Sequence, residues 1–378
     1  MIKHLVPWLV LLALISACST EEIIPERFYP RNDHEAYWYS LKQANLLTTA
    51  LGKEWLAAKE RPFEEEIEVQ LPYQEGFVIS DLKPDAHGYR FKAKRGQKIL
   101  VDIGLISRDT TKLFVDLFRV ESDSLGQYKQ VASADSTLQL GFEPRRNAEY
   151  ILRLQPELLR GGQFTITIET VPTLEFPVVG KNKAAILSVF GDPRDGGKRV
   201  HHGVDIFAKR HTPIIAPVEA RVRFVGTRGI GGEVIWLRDS KRGSSLYFAH
   251  LQDFKVKRGD KVQPGDTIGT VGNSGNARTT PPHLHFGIYK NGPVDPYPFI
   301  VPDYERPNPF SPDTTLLGKT LTLTSAKFLK AAMSKSAVSR DTLKVEDEVQ
   351  IVAVNHDYVR VEKSDGTFGF LAKDKVLK

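Results

Sequence analysis

The feature that most constrains the fold is the stretch 201–285, which holds six of the ten histidines in this chain of 378 residues. It contains three motifs: His-His-Gly-Val-Asp at 201–205, Tyr-Phe-Ala-His-Leu at 247–251 and Pro-His-Leu-His-Phe at 282–286. Successive side chains of a β-strand alternate between two faces, so His283 and His285 project together while Leu284 and Phe286 pack behind them. The stretch predicts β-strands that bring imidazoles to one point.

The residue types in these motifs suit a bound metal. Asp205 stands four positions after His201, which places both on one side of an extended segment, and Gly203 between them allows a tight bend. Two histidines and one carboxylate suit Zn²⁺ and leave a fourth position for water. The open position favours a catalytic metal over a structural one.

Taken together, the motifs resemble the lysostaphin-type, or LytM-like, zinc endopeptidases, which cut peptide cross-links in bacterial cell walls. The resemblance extends from about residue 175 to residue 299, about a third of the chain. Besides the histidine motifs it includes Ser-Val-Phe-Gly-Asp-Pro at 188–193, Ala-Pro at 216–217 and Lys-x-Gly-Asp-x-Val-x-Pro-Gly at 257–265.

Carried over position by position, the resemblance implies a site of five residues. His201, Asp205 and His285 would be the zinc ligands, and His250 and His283 would be the catalytic pair that does not bind zinc. The implied reaction is hydrolysis of peptidoglycan cross-links through a metal-activated water, with the two imidazoles moving its proton and stabilising the oxyanion. The resemblance leaves open which histidine acts as the base.

Some residues of this stretch fall outside the family pattern. The family motif tolerates other residues at His202, so we interpret it as a solvated side chain or one that packs beside a ligand. His211 stands where the family has a small turn residue, and we expect it in a loop that lines the groove. The run 272–282 is longer than the family's glycine-rich approach, which should affect substrate fit and not metal binding. The glycines at 229–232 suggest a phosphate loop, but residues 234–237 predict a strand instead.

The beginning of the chain predicts export and lipidation. The apolar run at 5–17 is shorter than the roughly 20 residues of a membrane-spanning helix and suits the core of a signal peptide. Cys18, the single cysteine, resembles the lipidated cysteine of bacterial lipoproteins; the alternative is an ordinary secretory signal with an incidental cysteine. Ser19 resembles outer-membrane sorting signals. We therefore expect an outer-membrane lipoprotein facing the periplasm or the cell surface.

Charge adds a weaker indication about partners. The net charge of +6 and the pI of about 9.1 favour anionic envelope polymers or lipid headgroups, although an excess of lysine also occurs without any polyanionic partner. A basic block with interleaved aromatic residues, which would predict nucleic-acid binding, is absent from the sequence. The expected partners are peptidoglycan and, through the lipid on Cys18, a membrane.

The rest of the chain predicts a mainly β, multidomain architecture. Helical spacing from 33 to 59, with Asn32 or Asp33 as N-cap, predicts a helical spacer. Period-two alternation from 63 to 170 predicts a β-sandwich that loosely resembles bacterial pre-peptidase domains. The last strands, with a hairpin at Asp365-Gly366, resemble SH3-like modules. The predicted divisions are signal peptide 1–17, anchor and spacer 18–60, sandwich 61–172, antiparallel β zinc endopeptidase 173–300, proline-rich linker 301–316 and SH3-like barrel 317–378.

Two details of these flanking segments have alternative interpretations. His34-Glu35 begins like the zinc-binding helix of other metalloproteases, but Trp38 replaces the second histidine, so the helix is interpreted as packing or spacer. Tyr358 and Phe368 could bind wall peptide or belong to a core, and we favour the core.

A rival to the enzyme comes from a different functional class. A non-catalytic peptidoglycan-binding regulator could use the same fold to activate another wall hydrolase. Such relatives usually lack a zinc ligand or a catalytic histidine, whereas all five positions are filled in this sequence. The complete set favours the enzyme.

Overall fold

The structure is a computed structural model that describes residues 30–65, 67–106, 111–122, 126–134, 136–307, 310–333 and 336–376. Strands account for 46% of the chain and helices for 14%, which confirms the predicted mainly β fold class. The predicted signal peptide and Cys18 lie outside the described residues. Among the described residues, no helix is both long and apolar enough to cross a membrane.

The helical spacer is interrupted, so the prediction of uniform helical spacing from 33 to 59 was wrong in its middle. Asn45 adopts the left-handed conformation, with φ 56°, and ends the first helix. The side chains of Asn32 and Thr49 cap the two helices by accepting backbone N–H groups, which favours a fresh start at each cap. The helices are α1 (Asp33–Gln43) and α2 (Ala50–Ala58), with a 3-10 turn at Leu46–Thr48 between them.

Nine strands follow, and they form two facing sheets. The strands are β1 (Ile67–Glu68), β2 (Tyr73–Ile79), β3 (His87–Ala93), β4 (Gln97–Leu105), β5 (Leu113–Ser122), β6 (Gln127–Ser133), β7 (Gln139–Phe142), β8 (Ala148–Pro156) and β9 (Gly162–Pro172). One sheet has the order β1-β3-β8-β5-β6, and the other contains β2-β9-β4-β7. Phe77, Tyr89, Tyr150 and Phe164 are fully buried between them, because alternate residues of each strand face inward. Helix α2 covers the outer side through Trp55, which packs on Phe114.

The histidine-bearing segment forms a second β unit with its own core. Its elements are β10 (Ile186–Ser188), β11 (Pro193–Arg194), β12 (Arg199–Val200), β13 (Val204–Phe207), β14 (Pro213–Ile215), β15 (Ala220–Thr227), β16 (Glu233–Asp239), β17 (Ser244–Ala249), β18 (Leu251–Phe254), β19 (Lys261–Val262), β20 (Thr267–Val271), β21 (His283–Tyr289), β22 (Pro293–Val294) and the short helix α3 (Tyr297–Ile300). The main sheet has the order β10-β13-β21-β17-β16-β15-β19, with β22 beside β21, and a smaller sheet has the order β14-β20-β18. Phe248, Leu284 and Phe286 are completely buried in its core.

The C-terminal strands extend one sheet of the sandwich. They are β23 (Thr320–Thr322), β24 (Lys327–Lys330), β25 (Ser339–Leu343), β26 (Glu348–Val354), β27 (Tyr358–Glu362) and β28 (Phe368–Ala372), followed by α4 (Lys373–Val376). Strand β26 pairs with β2 through Gly76–Val354 and Phe77–Ala353. As a result, a single sheet runs β25-β24-β28-β27-β26-β2-β9-β4-β7. Tyr358 and Phe368 pack against the sandwich core, as the core interpretation expects.

A buried ion pair fixes this junction. Arg360 Nη2 donates to Glu75 Oε1 at 3.2 Å, and both side chains are less than 5% exposed. The hydroxyls of Tyr73 and Tyr89 also donate to Glu75, so the buried carboxylate is fully hydrogen-bonded. Burial raises the pKa of both tyrosines well above its usual value, which keeps them protonated as donors.

The histidine-bearing unit contacts the sandwich at the end where β9 finishes. Thr173 N donates to the Gly96 carbonyl at 3.0 Å, and Leu174 N donates to the Phe299 carbonyl at 2.9 Å. Arg242 forms a salt bridge with Glu143 at 3.0 Å across the same junction. Further 3-10 turns lie at Arg61–Phe63, Lys183–Ala185, Asp195–Gly197, Gly229–Gly231, Gly275–Ala277 and Thr314–Leu316.

Candidate metal centre

Strand register places two of the predicted ligands side by side. In the antiparallel pair β13–β21, Asp205 is the direct partner of His285. His201 precedes β13 and is held by two backbone hydrogen bonds, from its own N–H to the Asp192 carbonyl at 2.8 Å and from Gly191 N–H to its carbonyl at 2.9 Å. The alternation of β21 turns Leu284 into the core, which leaves His283 and His285 on the other face.

The three side chains meet at one point with a geometry that fits a metal ion. His201 Nε2 and His285 Nδ1 each lie 3.0 Å from Asp205 Oδ1, and the two nitrogens are 2.9 Å apart. A tetrahedral zinc ion with bonds of about 2.0–2.1 Å needs ligand atoms about 3.3 Å apart, so small adjustments admit it. Among the described residues, these three are the His, Cys, Asp or Glu side chains that lie close enough together to share a metal ion.

Neighbouring groups set the proton positions that a metal requires. His201 Nδ1 lies 2.8 Å from the Val189 carbonyl, which assigns the proton to Nδ1 and leaves the lone pair of Nε2 facing the centre. Asp205 Oδ2 accepts a hydrogen bond from Arg194 Nη2 at 2.7 Å, so Oδ1 is the oxygen that faces the two histidines. Arg194 also donates to Ser188 Oγ at 2.6 Å. Arg194 was not predicted as a site residue, and the only signal in the sequence was its place two residues after Asp192.

Electrostatics favour the deprotonated forms of two candidate ligands, Asp205 and His285. Burial by itself raises the pKa of the Asp205 carboxyl, but the contacts of Oδ1 with the His201 and His285 rings outweigh it and hold that pKa well below its usual range. Burial also lowers the pKa of His285, although Asp205 acts in the opposite direction. A carboxylate and neutral imidazoles are the protonation states that bind metal ions.

Gly203 lies in a bend, as the sequence suggested, and close packing also requires a glycine there. Its φ lies outside the left-handed region. A Cβ at this position would lie 2.8 Å from both Cε1 and Nε2 of His285 and 2.5 Å from the Phe286 carbonyl oxygen. The missing side chain therefore gives the His285 ring the space that it occupies beside Asp205.

The other two predicted histidines lie next to this cluster. His250 follows β17, and its Nδ1 is 2.9 Å from the Ser274 carbonyl; His283 begins β21, and its Nδ1 is 2.9 Å from the Pro281 carbonyl. In each ring the carbonyl assigns the proton to Nδ1 and leaves Nε2 as an acceptor. The two ring centroids are 5.1 Å apart. Two imidazoles beside a candidate metal centre can hold or transfer a proton.

His250 is held in an unusual conformation. Its φ of 64° is rare for a residue with a side chain, and its N–H is fixed by the Gly231 carbonyl at 2.9 Å. Burial, followed by the nearby His283 and His285, lowers the pKa of His250 to about 4. The imidazole is therefore neutral in neutral solution.

The five side chains line an open groove of about 640 Å³. Every described residue that lines it lies between 187 and 289, so neither the sandwich nor the helical spacer covers it. Trp236, Tyr247 and Tyr289 form an aromatic wall, with the Trp236 and Tyr247 ring centroids 4.5 Å apart. An open groove beside the cluster is accessible to a polymeric ligand.

Two histidines of the same stretch, His202 and His211, lie outside the ligand cluster. His202 lines the groove but is exposed, stacks on Phe190 at 6.3 Å and lies outside the ligand cluster. His211 lies in a loop with φ 67° and is not among the described residues that line the groove, so that part of its prediction was wrong. The 272–282 loop contributes Asn276, Ala277 and Thr280 to the groove. The glycines at 229–232 lead into β16, as predicted, and His34 is buried against Gln155 at 2.8 Å.

Comparison with known proteins agrees with this geometry. The family model "Peptidase family M23" matches residues 199–296, which include all five site positions. The L-Ala–D-Glu endopeptidase of Bacillus subtilis (strain 168) is 40% identical over 138 residues, which are 33% of this chain and 42% of that protein. The peptidoglycan DD-endopeptidase ShyC of Vibrio cholerae is 37% identical over 100 residues, 26% of this chain and 22% of that protein.

One solved structure is similar to part of this chain. It is the catalytic domain of the antimicrobial peptidase lysostaphin from Staphylococcus simulans, 32% identical, covering 30% of this chain and 88% of that chain with a TM-score of 0.27. This chain matches less than half the length of the two curated relatives. Residues 199–296 of this chain therefore match the model of peptidase family M23.

Proposed function

We propose that this chain is a zinc-dependent endopeptidase that hydrolyses peptide cross-links of bacterial peptidoglycan. The observation that carries the proposal is the convergence of His201, Asp205, His285, His250 and His283 on one open groove. Relatives named as peptidoglycan or peptide-bond endopeptidases support the substrate class. The alternative, a non-catalytic regulator, would not require all five of these residues.

Three residues would hold the metal in this proposal. His201 Nε2, Asp205 Oδ1 and His285 Nδ1 face one another, and the Val189 carbonyl and Arg194 fix two of these groups from behind. When bound there, zinc supplies a Lewis acid that polarises a carbonyl and lowers the pKa of a water to about 7. The protein would contribute ligands that are held in place and a groove that is open beside them.

His250 and His283 would carry the proton transfers. Each ring donates from Nδ1 to a backbone carbonyl, so Nε2 is the atom available in the groove. A neutral imidazole accepts the proton of the attacking water, and the resulting imidazolium donates it to the leaving amine. The second imidazole is placed to stabilise the oxyanion of the tetrahedral intermediate. Phe207, stacked on His283 at 4.9 Å, keeps that ring in position.

The flanking segments would deliver the active site to the wall. In this proposal Cys18 carries lipid that anchors the chain to the outer membrane, and the sandwich acts as a spacer. Anchoring raises the local concentration of the groove near peptidoglycan, so tight intrinsic affinity is not required. One acyl chain anchors only marginally, so several chains are part of the proposal.

The test uses the chain from Ser19, which keeps every described residue, purified with zinc and incubated with isolated peptidoglycan. Mass analysis of the released muropeptides should show loss of cross-linked dimers and new peptide ends. His283→Ala should lose these products, and His211→Ala, an exposed loop histidine outside the groove, should keep them. Binding to peptidoglycan without cleavage by the unsubstituted chain would support the regulator instead.

A further inference from the structure

One end of the sandwich exposes a group of apolar side chains. Leu82 is 86% exposed, Leu159 46%, Ile106 38% and Leu105 36%. These four residues are called the apolar tip. Single exposed apolar residues are common on protein surfaces, but several at one end of a domain are typical of a site that meets another apolar surface.

Strand pairing shows that the four residues share one end. Strand β2 ends where Ile79 pairs with Gly162, the first residue of β9, and Leu82 lies in the loop that follows. Strand β4 ends where Leu105 pairs with Phe164, and Ile106 N donates to the Gln163 carbonyl at 2.8 Å. Leu159 lies in the turn that leads into β9. All four therefore surround the start of β9.

The backbone at Leu159 is a separate indication. Its φ is 53°, in the left-handed region that glycine and asparagine adopt more readily than leucine. The turn nevertheless keeps a large apolar side chain there, with nearly half of it exposed. Strained positions of this kind concentrate at functional surfaces.

The described chain begins beside the same end. Asn32 and Asp33 line one cavity together with Leu105 and Lys112, and Lys112 pairs with Asp33 at 2.9 Å. Pro30 follows Cys18 by twelve positions. A chain of that length spans at most roughly 40 Å when fully extended. A lipid on Cys18 would therefore keep Pro30 within roughly 40 Å of the membrane.

The peptidase domain lies at the opposite end of the sandwich. Strand β9 runs from the apolar tip to Pro172, next to the contacts that join the two units. Its eleven residues extend over roughly 35 Å at the usual rise of a strand. A surface that touched the apolar tip would therefore be separated from the groove by the length of the sandwich.

From these contacts we propose that the apolar tip rests on the lipid bilayer to which the chain is anchored. The inference rests on the proposed lipidation of Cys18, and it adds a second, non-covalent membrane contact. Leu82 and Leu159 enter the interfacial region, where apolar side chains are favoured. The sandwich then stands on the membrane and holds the groove on the side away from it.

The test measures the polarity around the apolar tip on vesicles. The chain from Ser19 contains no cysteine, so Leu82→Cys and Val179→Cys each accept one polarity-sensitive fluorophore. Val179 is 46% exposed and follows Val178, which is buried in the core of the histidine-bearing unit, so it is the matched control. An N-terminal histidine tag holds each protein on phosphatidylethanolamine and phosphatidylglycerol vesicles that contain a nickel-chelating lipid.

On tethering, the emission at position 82 should shift to the blue and gain at least twofold in intensity, while position 179 stays unchanged. Adding Leu159→Asp to the Leu82→Cys chain should abolish the shift. Equal responses at both positions, or none at position 82, would overturn the proposal. A concentration-dependent shift without vesicles would overturn it in favour of self-association. Muropeptide release by the labelled chains is measured separately, so failure here is distinguishable from failure of the proposed function.

Discussion

Replacing Gly203 with alanine should displace His285 and weaken zinc binding. The new Cβ would lie 2.8 Å from Cε1 and Nε2 of His285, whereas ordinary contact begins at 3.4 Å. The ring must therefore move by about 0.6 Å, about three times the tolerance of roughly 0.2 Å in metal–ligand distances. The Phe286 carbonyl, 2.5 Å from the Cβ, blocks relief through the backbone of the same strand.

The expected result is a loss of zinc affinity of at least about 100-fold, or roughly 2.8 kcal/mol. Replacing a residue that only hydrogen-bonds to a metal ligand already lowers metal affinity by up to about 100-fold. Competition with a chromogenic chelator measures the affinity, and circular dichroism of the metal-free protein checks the fold. Gly287→Ala is the matched control on the strand that carries His285, since its Cβ meets only a Tyr289 ring carbon at 3.0 Å and the His202 carbonyl at 3.1 Å. A folded Gly203→Ala protein with zinc affinity within threefold of the parent would refute the packing argument.

Three further predictions address the ligands, the pH response and the C-terminal junction. Asp205→Ala should lose zinc, whereas His250→Ala should keep zinc and lose about 10²–10⁴-fold in turnover. Metal analysis together with muropeptide release separates the two variants. Equal zinc loss in both would contradict the role of His250. Burial and then Arg153 lower the pKa of His34 to about 4 in the folded state, against 6.5 in the unfolded chain. As the pH falls, the unfolded chain therefore takes up the proton first. The free energy of unfolding should fall by about 3 kcal/mol from pH 6.5 to 4. Urea unfolding at both pH values measures this loss of stability, and an equal loss in His34→Gln would contradict the prediction. Arg360→Ala should destabilise by about 3–5 kcal/mol because it leaves a buried carboxylate unpaired, and a change below 1 kcal/mol in the same assay would contradict that.

The sequence predicts the metal cluster well because its geometry depends on local rules. Alternation along β21 gives His283 and His285 one face, and four-residue spacing gives His201 and Asp205 one side. Family resemblance supplies the pairing of these two segments, which are eighty residues apart. The mainly β class follows from period-two alternation in the same way.

What the sequence does not reveal depends on contacts between distant residues. Arg194 behind Asp205, the aromatic wall around Trp236 and the space that Gly203 leaves for His285 have no periodicity of their own. The break at Asn45 was missed because asparagine tolerates the left-handed conformation without requiring it. The shared sheet of the sandwich and the C-terminal strands is likewise invisible in either segment alone.

That shared sheet has a consequence for the order of folding. Strand β2 reaches its partner β26 only when residues 353 and 354 exist, although the sandwich strands are complete by residue 172. In the interval β2 has an unpaired edge, and Glu75 lacks Arg360. Exposed edges pair readily with other chains, so a ribosome-released fragment that stops before residue 348 should aggregate more readily than the whole protein. A strand that is synthesised later thus protects the edge of one that is synthesised earlier.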